Sequence, residues 1–180
     1  MNLVITQALE VLRRGGLLLY PTDTLWGIGC DATNEQAVAR IFALKQRTES
    51  KSLIVIADSM AMVERYVQRV PDMAYSLVEV ALHPLTIIYP QAAGLAANVA
   101  AADGSVAIRV AQHDFCKALL HGFKKPVIST SANVSGAPAP TAFRDIAEVI
   151  KQGVDFVVPA GIDRGATGRP SSILRLGLSG

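Results

Sequence analysis

Residues 17–30 read LLLYPTDTLWGIGC. A short apolar run, 17–20, is closed by Pro21, and a second apolar run, 26–30, follows a polar loop. Both runs read as strands, because each is apolar and bounded by turn residues. The loop between them is too short for a helix. Parallel neighbours need a crossover of about a dozen residues or more, so this stretch is no βαβ unit. Working outward, residues 4–14 carry a helical apolar pattern that Gly15-Gly16 ends in the expected place. Downstream, Thr33 opens a helix to residue 45, with Gln36 three positions on as a capping box requires. Ala37, Val38, Ile41, Phe42 and Leu44 recur on it at helical spacing.

Further segments alternate in the same manner. Strands are predicted at 53–57, 85–89, 105–110, 127–130, 156–158 and 172–176. Helices are predicted at 59–68 (capped by Asp58 or Ser59), from Pro71 to 82, at 113–120, and at 141–152 with Thr141 as its cap. Helices and strands alternate without a regular βαβ repeat, and several strands meet through loops alone. The expected fold is α/β: a mixed parallel and antiparallel, twisted open sheet with surrounding helices, in one domain spanning 1–180.

Composition narrows the function classes. With 51% hydrophobic and 18% charged residues, the chain can bury a core and is not disordered by composition. The longest uncharged run, 85–102, is interrupted by Pro90, Gln91, Gly94 and Asn98, which argues against a membrane span. The first fourteen residues have no basic lead and carry Glu10 within the apolar pattern, so they read as a helix and not a signal peptide. Cys30 and Cys116 fit a reduced, cytoplasmic protein better than a disulfide framework. The scattered histidines, with no CxxC or HxxxH spacing, predict no structural metal site. A net charge of +2 gives weak support for a nucleic-acid partner.

Four polar constellations stand on this apolar frame. In residues 20–32, YPTDTLWGIGCDA, hydroxyls follow a strand end and glycines permit close approach of backbone, which suits a small polar ligand. The same residues also make an ordinary turn. In residues 44–53, LKQRTESKSL, Lys45, Arg47 and Lys51 gather near a helix end. They either complement the helix dipole or converge on a polyanion such as a triphosphate. In residues 104–110, GSVAIRV, Arg109 lies within an apolar strand, where it needs an acidic partner or an anionic ligand. Period-2 alternation puts Ser105 on the same face as Arg109. In residues 127–141, VISTSANVSGAPAPT, a buried strand runs into a loop of hydroxyl and amide groups that could meet phosphates or a nucleobase. No GxxxxGK[ST], GxGxxG or GxSxG motif occurs, so a nucleotide site here would not be of the P-loop kind.

Together these segments resemble the YrdC/TsaC family of threonylcarbamoyl-AMP synthases, in order, from residue 17 to about 176. The most specific pieces are Lys45-Gln46-Arg47 within ALKQR, and Ser131-Ala132-Asn133 within PVISTSANVSG. The resemblance implies a twisted mixed sheet with a concave, largely basic face. It implies a reaction in which L-threonine, bicarbonate and ATP give threonylcarbamoyl-AMP and pyrophosphate for tRNA modification. By position, it implies that Lys45 and Arg47 are catalytic. Lys45, Arg47, Lys51, Ser105, Ser131 and Asn133 would bind ATP. Thr24, Arg109, Ser129 and Ser171 would bind threonine. Mg²⁺ would come with ATP rather than on protein ligands. tRNA and a downstream threonylcarbamoyl-transferase complex are the further partners implied, and a membrane is not.

The chain also departs from the family pattern. Trp26 stands where a smaller aromatic residue is usual, Ser52 where Pro or Gly is common, and His83 precedes Pro84 where Gly is usual. Ile56 occupies a position at which part of the family has a histidine. The sequence ends at Gly180, whereas longer relatives carry a further domain. The rival readings are an RNA- or tRNA-binding module without catalysis, a carbamoyl-transfer domain, and a degenerate member. Small hydroxyls at strand ends favour an enclosed small-molecule pocket over an exposed RNA surface.

Overall fold

In the computed structural model, residues 1–47 and 53–180 are described. Among these residues eight strands form one sheet: β1 (Leu18–Tyr20), β2 (Gly27–Gly29), β3 (Ile54–Ala57), β4 (Leu85–Tyr89), β5 (Val106–Val110), β6 (Val127–Ser131), β7 (Phe156–Val157) and β8 (Ser172–Arg175), in the order β7-β1-β2-β6-β3-β5-β4-β8. Pairs β1–β2, β2–β6, β3–β6 and β4–β5 are antiparallel, while β1–β7, β3–β5 and β4–β8 are parallel. The sheet is therefore mixed, as the short loops predicted.

Six α-helices among the described residues accompany it: α1 (Asn2–Arg13), α2 (Glu35–Lys45), α3 (Met60–Tyr66), α4 (Asp72–Val80), α5 (Asp114–Phe123) and α6 (Glu148–Gly153). Two of the sequence expectations need correction. Helix α2 is capped by Asn34, whose side chain accepts the Ala37 N–H, and not by Thr33. Thr33 is instead held by the Asp31 carboxylate through both its N–H and its hydroxyl. The helix expected at 141–152 is broken. A 3₁₀ turn at Phe143–Asp145 is separated from α6 by Ile146 and Ala147, both extended. The break lets Phe143 stack on Trp26, with ring centroids 5.0 Å apart, while Ile146 and Ile150 stay in the core.

Alternation along the strands sorts the sheet into two faces. One carries Ile28, Val55, Ile87, Ile108 and Ile128, all buried in the hydrophobic core. The opposite face carries Gly27, Ile54, Ala107, Arg109, Ser129 and Ser131, which pair across β2, β6, β3 and β5. Gly27, Ala107, Ser129 and Ser131 are small, and on this face they leave room for a cavity.

β7 and β8 are the two edges of the sheet, yet they are consecutive in sequence. The connection at 158–171 therefore crosses the sheet from edge to edge. On its way it docks on the β1–β2 turn: Thr167 N–H donates to the Asp23 carbonyl at 2.8 Å, and Gly168 N–H to the Thr24 carbonyl at 2.9 Å. Gly161, Gly165 and Gly168 take positive φ along it, which lets the chain turn without the strain a side chain would meet there.

Candidate active site

The β1–β2 turn is held from three sides. Thr22 Oγ1 donates to the Leu25 carbonyl and lies 3.1 Å from Thr24 Oγ1. The buried Asp23 carboxylate accepts the backbone N–H groups of Gln112 and His113, at 2.7 and 3.1 Å, just before α5. The aspartate of this turn thus fastens the β5–α5 junction, whereas Thr24 beside it lines the cavity. A separate hollow of about 320 Å³ lies on the far side of Asp23, against His113 and Arg164. It contains none of the residues that the sequence singled out for chemistry.

The cavity on the polar sheet face has a volume of about 390 Å³. It brings together Thr24, Arg47, Arg109, Ser129, Ser131 and Ser171, which come from five separate stretches of the chain. Trp26 and Gly27 also line it. Gly27 matters for shape: a Cβ there would meet Ser129 Oγ at 3.3 Å. No carboxylate lines this cavity among the described residues, and two arginines do. Its electrostatics suit an anion.

Arg109 is the most telling member. Only 3% exposed, it sits between Ile56 of β3 and Thr86 of β4 in the sheet register. It makes no salt bridge among the described residues, and its Nε and Nη2 are buried without hydrogen-bond partners. Burying a guanidinium without compensation costs free energy, and a planar anion such as a carboxylate has the shape and charge to offset that cost. Beneath it lies Tyr20, wholly buried, whose hydroxyl donates to the Ile128 carbonyl at 2.7 Å. Burial holds this phenol far above its ordinary pKa, so it stays neutral.

Lys45 and Arg47 diverge for a backbone reason. Lys45 is the last residue of α2, and Gln46 then takes the left-handed conformation at φ 53°. Arg47 follows it and reaches the cavity. Lys45 instead turns inward, and its ammonium donates to the carbonyl of Ser131, with Ser131 Oγ 3.4 Å away. Its own carbonyl accepts the Ser135 N–H at 2.8 Å. The KxR and SxN segments are thus interlocked: one caps the other. Burial, and next the nearby Arg47, push the Lys45 pKa down to about 8. Burial also lowers that of Arg47.

Two of the residues singled out in the sequence, Asn133 and Ser105, do not line the cavity. Asn133 faces a neighbouring hollow of about 500 Å³ and braces its own loop, its amide donating to the Ala137 carbonyl at 2.7 Å. Ser105 precedes β5, does not line the cavity, and gives its hydroxyl to Asp103 at 2.6 Å. Lys51 lies outside the described residues. Conversely, Tyr20, Asp23 and Thr86 support the site without having been assigned to it. The only signal for Thr86 was a polar position in the apolar run LTIIY, where a threonine also reads as a strand former.

The site can be set beside known proteins. The sequence model of the Sua5/YciO/YrdC family, described as Telomere recombination, matches residues 10–179. A Hahella chejuensis protein named threonylcarbamoyl-AMP synthase is 36% identical over 94% of this chain and 91% of its own. A Vibrio cholerae protein of the same name is 38% identical over 75% of this chain and 73% of its own. The crystal structure of P. abyssi Sua5 complexed with L-threonine superposes with a TM-score of 0.87 at 29% identity, covering 96% of this chain and 50% of that one. This chain thus spans about half the length of that Sua5.

Proposed function

The chain belongs to the Sua5/YciO/YrdC family, and from that premise we propose that it is a threonylcarbamoyl-AMP synthase. It joins L-threonine, bicarbonate and ATP, and releases pyrophosphate. The observation that carries the proposal is the buried Arg109, with no acidic partner among the described residues, in a hydroxyl-lined cavity. Relatives at 36% and 38% identity bear the synthase name.

The residues suit a reaction that needs no side-chain nucleophile. Threonine binds through its carboxylate to Arg109, while Thr24, Ser129 and Ser171 surround its remaining polar groups. The free amine combines with CO2 or bicarbonate to give a carbamate. A carbamate oxygen attacks the α-phosphorus of ATP, the bond to the bridging oxygen breaks, and pyrophosphate leaves with the electron pair. Arg47, with Lys45 behind Ser131, stabilises charge on the phosphates. Positioning and electrostatics carry such a step. A recessed cavity also keeps water from a labile carbamate.

Mg²⁺ enters as the counter-ion of the nucleotide phosphates, whose charge it partly neutralises. No group of three or more His, Cys, Asp and Glu suited to a metal occurs among the described residues, and no protein ligand is assigned to it. The product feeds tRNA modification through a separate transferase complex, and the enzyme works in the cytoplasm. No described helix is long and apolar enough to cross a membrane.

The test is pyrophosphate release with ATP, Mg²⁺ and bicarbonate, offered each common amino acid in turn. Release that needs both threonine and bicarbonate is expected. Arg47→Ala should cut kcat/KM by about a hundredfold, the loss of a charge-assisted contact to phosphate. A folded protein without threonine dependence would transfer the assignment to RNA binding.

A further inference from the structure

We propose that Thr86 is a positioning residue for amino-acid recognition: it fixes the hydroxyl of Ser171 on the Arg109 side of the cavity. The inference rests on the synthase reading above and names a residue that acts through another.

Thr86 lies in β4, is wholly buried, and stands opposite Arg109 in the β4–β5 register. On its other side it pairs with Ile173 of β8. Its Oγ1 lies 2.7 Å from Ser171 Oγ. A valine of nearly the same shape would serve the strand as well, and a buried hydroxyl without a partner costs free energy. Ile56, the other neighbour of Arg109 in the sheet, is apolar. Among the described residues the Thr86 hydroxyl therefore has one partner, Ser171.

Ser171 needs such a partner. It arrives at the end of the long connection between β7 and β8, one residue before β8 begins. The four residues of β8 are all exposed, and the strand pairs on one side only. A serine side chain there chooses among staggered rotamers. The bond to Thr86 selects one of them and uses one of the hydroxyl's hydrogen-bonding directions. The remaining directions are left for a ligand in the cavity that Ser171 lines together with Arg109. Thr86 itself does not line the cavity.

The test is steady-state pyrophosphate release by Thr86→Val, Thr86→Ser, Ser171→Ala and the Thr86→Val/Ser171→Ala double variant. Thr86→Val should raise the KM for threonine about tenfold, the weight of one hydrogen bond. The KM for ATP and kcat should stay within about twofold, and Thr86→Ser should restore the wild-type KM. On the Ser171→Ala background the valine substitution should add less than about a twofold change, because its effect travels through Ser171. If Thr86→Val does not fold, Thr86→Ala is read by the same criteria. An unchanged KM for threonine, additivity in the double variant, or failure of Thr86→Ser to rescue would overturn the positioning role while the synthase reading stands. Wild-type protein without threonine-dependent release would sink the synthase reading, and the positioning role with it.

Discussion

Arg109→Met should make the protein more stable and less able to bind threonine. The two signs follow from one observation. Nε and Nη2 of Arg109 are buried without partners, and no acidic side chain pairs with it among the described residues. Each buried donor left unsatisfied costs about 1–3 kcal/mol. Methionine replaces the alkyl stem and adapts to irregular space, so it removes that cost while keeping most of the packing. A net gain of about 2 kcal/mol is expected, and in a chain of this size that raises Tm by about 4–8 °C.

Binding moves the other way. The guanidinium offers a carboxylate a charge-assisted contact in a dry setting, and losing it costs about 3 kcal/mol, or roughly 150-fold in affinity. Thermal unfolding followed with and without threonine measures both effects. Wild type should melt lower than the variant when alone and gain on threonine addition through mass action. The variant should show no gain. A variant that melts below wild type without ligand would refute the reasoning, because the guanidinium would then be supporting the fold rather than awaiting a ligand. An unchanged threonine affinity would refute it equally.

Lys45 predicts a pH dependence for ATP binding. Its pKa, lowered to about 8 by burial and then by Arg47, means that the ammonium is lost as pH rises through that value. ATP affinity measured by calorimetry should fall above pH 8, and Lys45→Arg should abolish the fall. For stability the sign is opposite: between about 8 and the ordinary lysine value the native state binds fewer protons than the unfolded state, so stability rises with pH in that window, and urea titrations check it. Gly29→Ala is expected to destabilise by about 1–3 kcal/mol through overpacking, since a Cβ there would sit 2.6 Å from the Ile128 carbonyl and against the Tyr20 ring. Denaturant midpoints would show it.

The fold was legible in the sequence wherever a local signal sufficed. The loop at 21–25 announced a sheet that could not be purely parallel, and the glycine pair after α1 marked its end. The break before α6 was not legible, because its cause is a distant contact: Phe143 stacks on Trp26 across the chain. The cap of α2 was misread for a similar reason. Thr33 and Asn34 are both good caps, and only the Asp31 carboxylate decides that Thr33 is taken. In the site, Arg109 was legible because an arginine inside an apolar strand is anomalous. Thr86 was not, since a threonine in a strand is unremarkable. The separation of Lys45 from Arg47 depends on a left-handed glutamine, which no propensity favours.

The placement of the site follows from which strands can bear which groups. The strongest charge stands on β5, an interior strand paired on both sides, where the backbone is least able to move away from an uncompensated guanidinium. The cavity wall that includes Ser171 belongs instead to a connection anchored by two backbone hydrogen bonds at the β1–β2 turn and by an exposed edge strand at its end. Local openings draw on such weakly packed segments rather than on central strands. The Thr86–Ser171 bond then has a clear place in the design. It ties the end of that connection to β4, the strand next to Arg109.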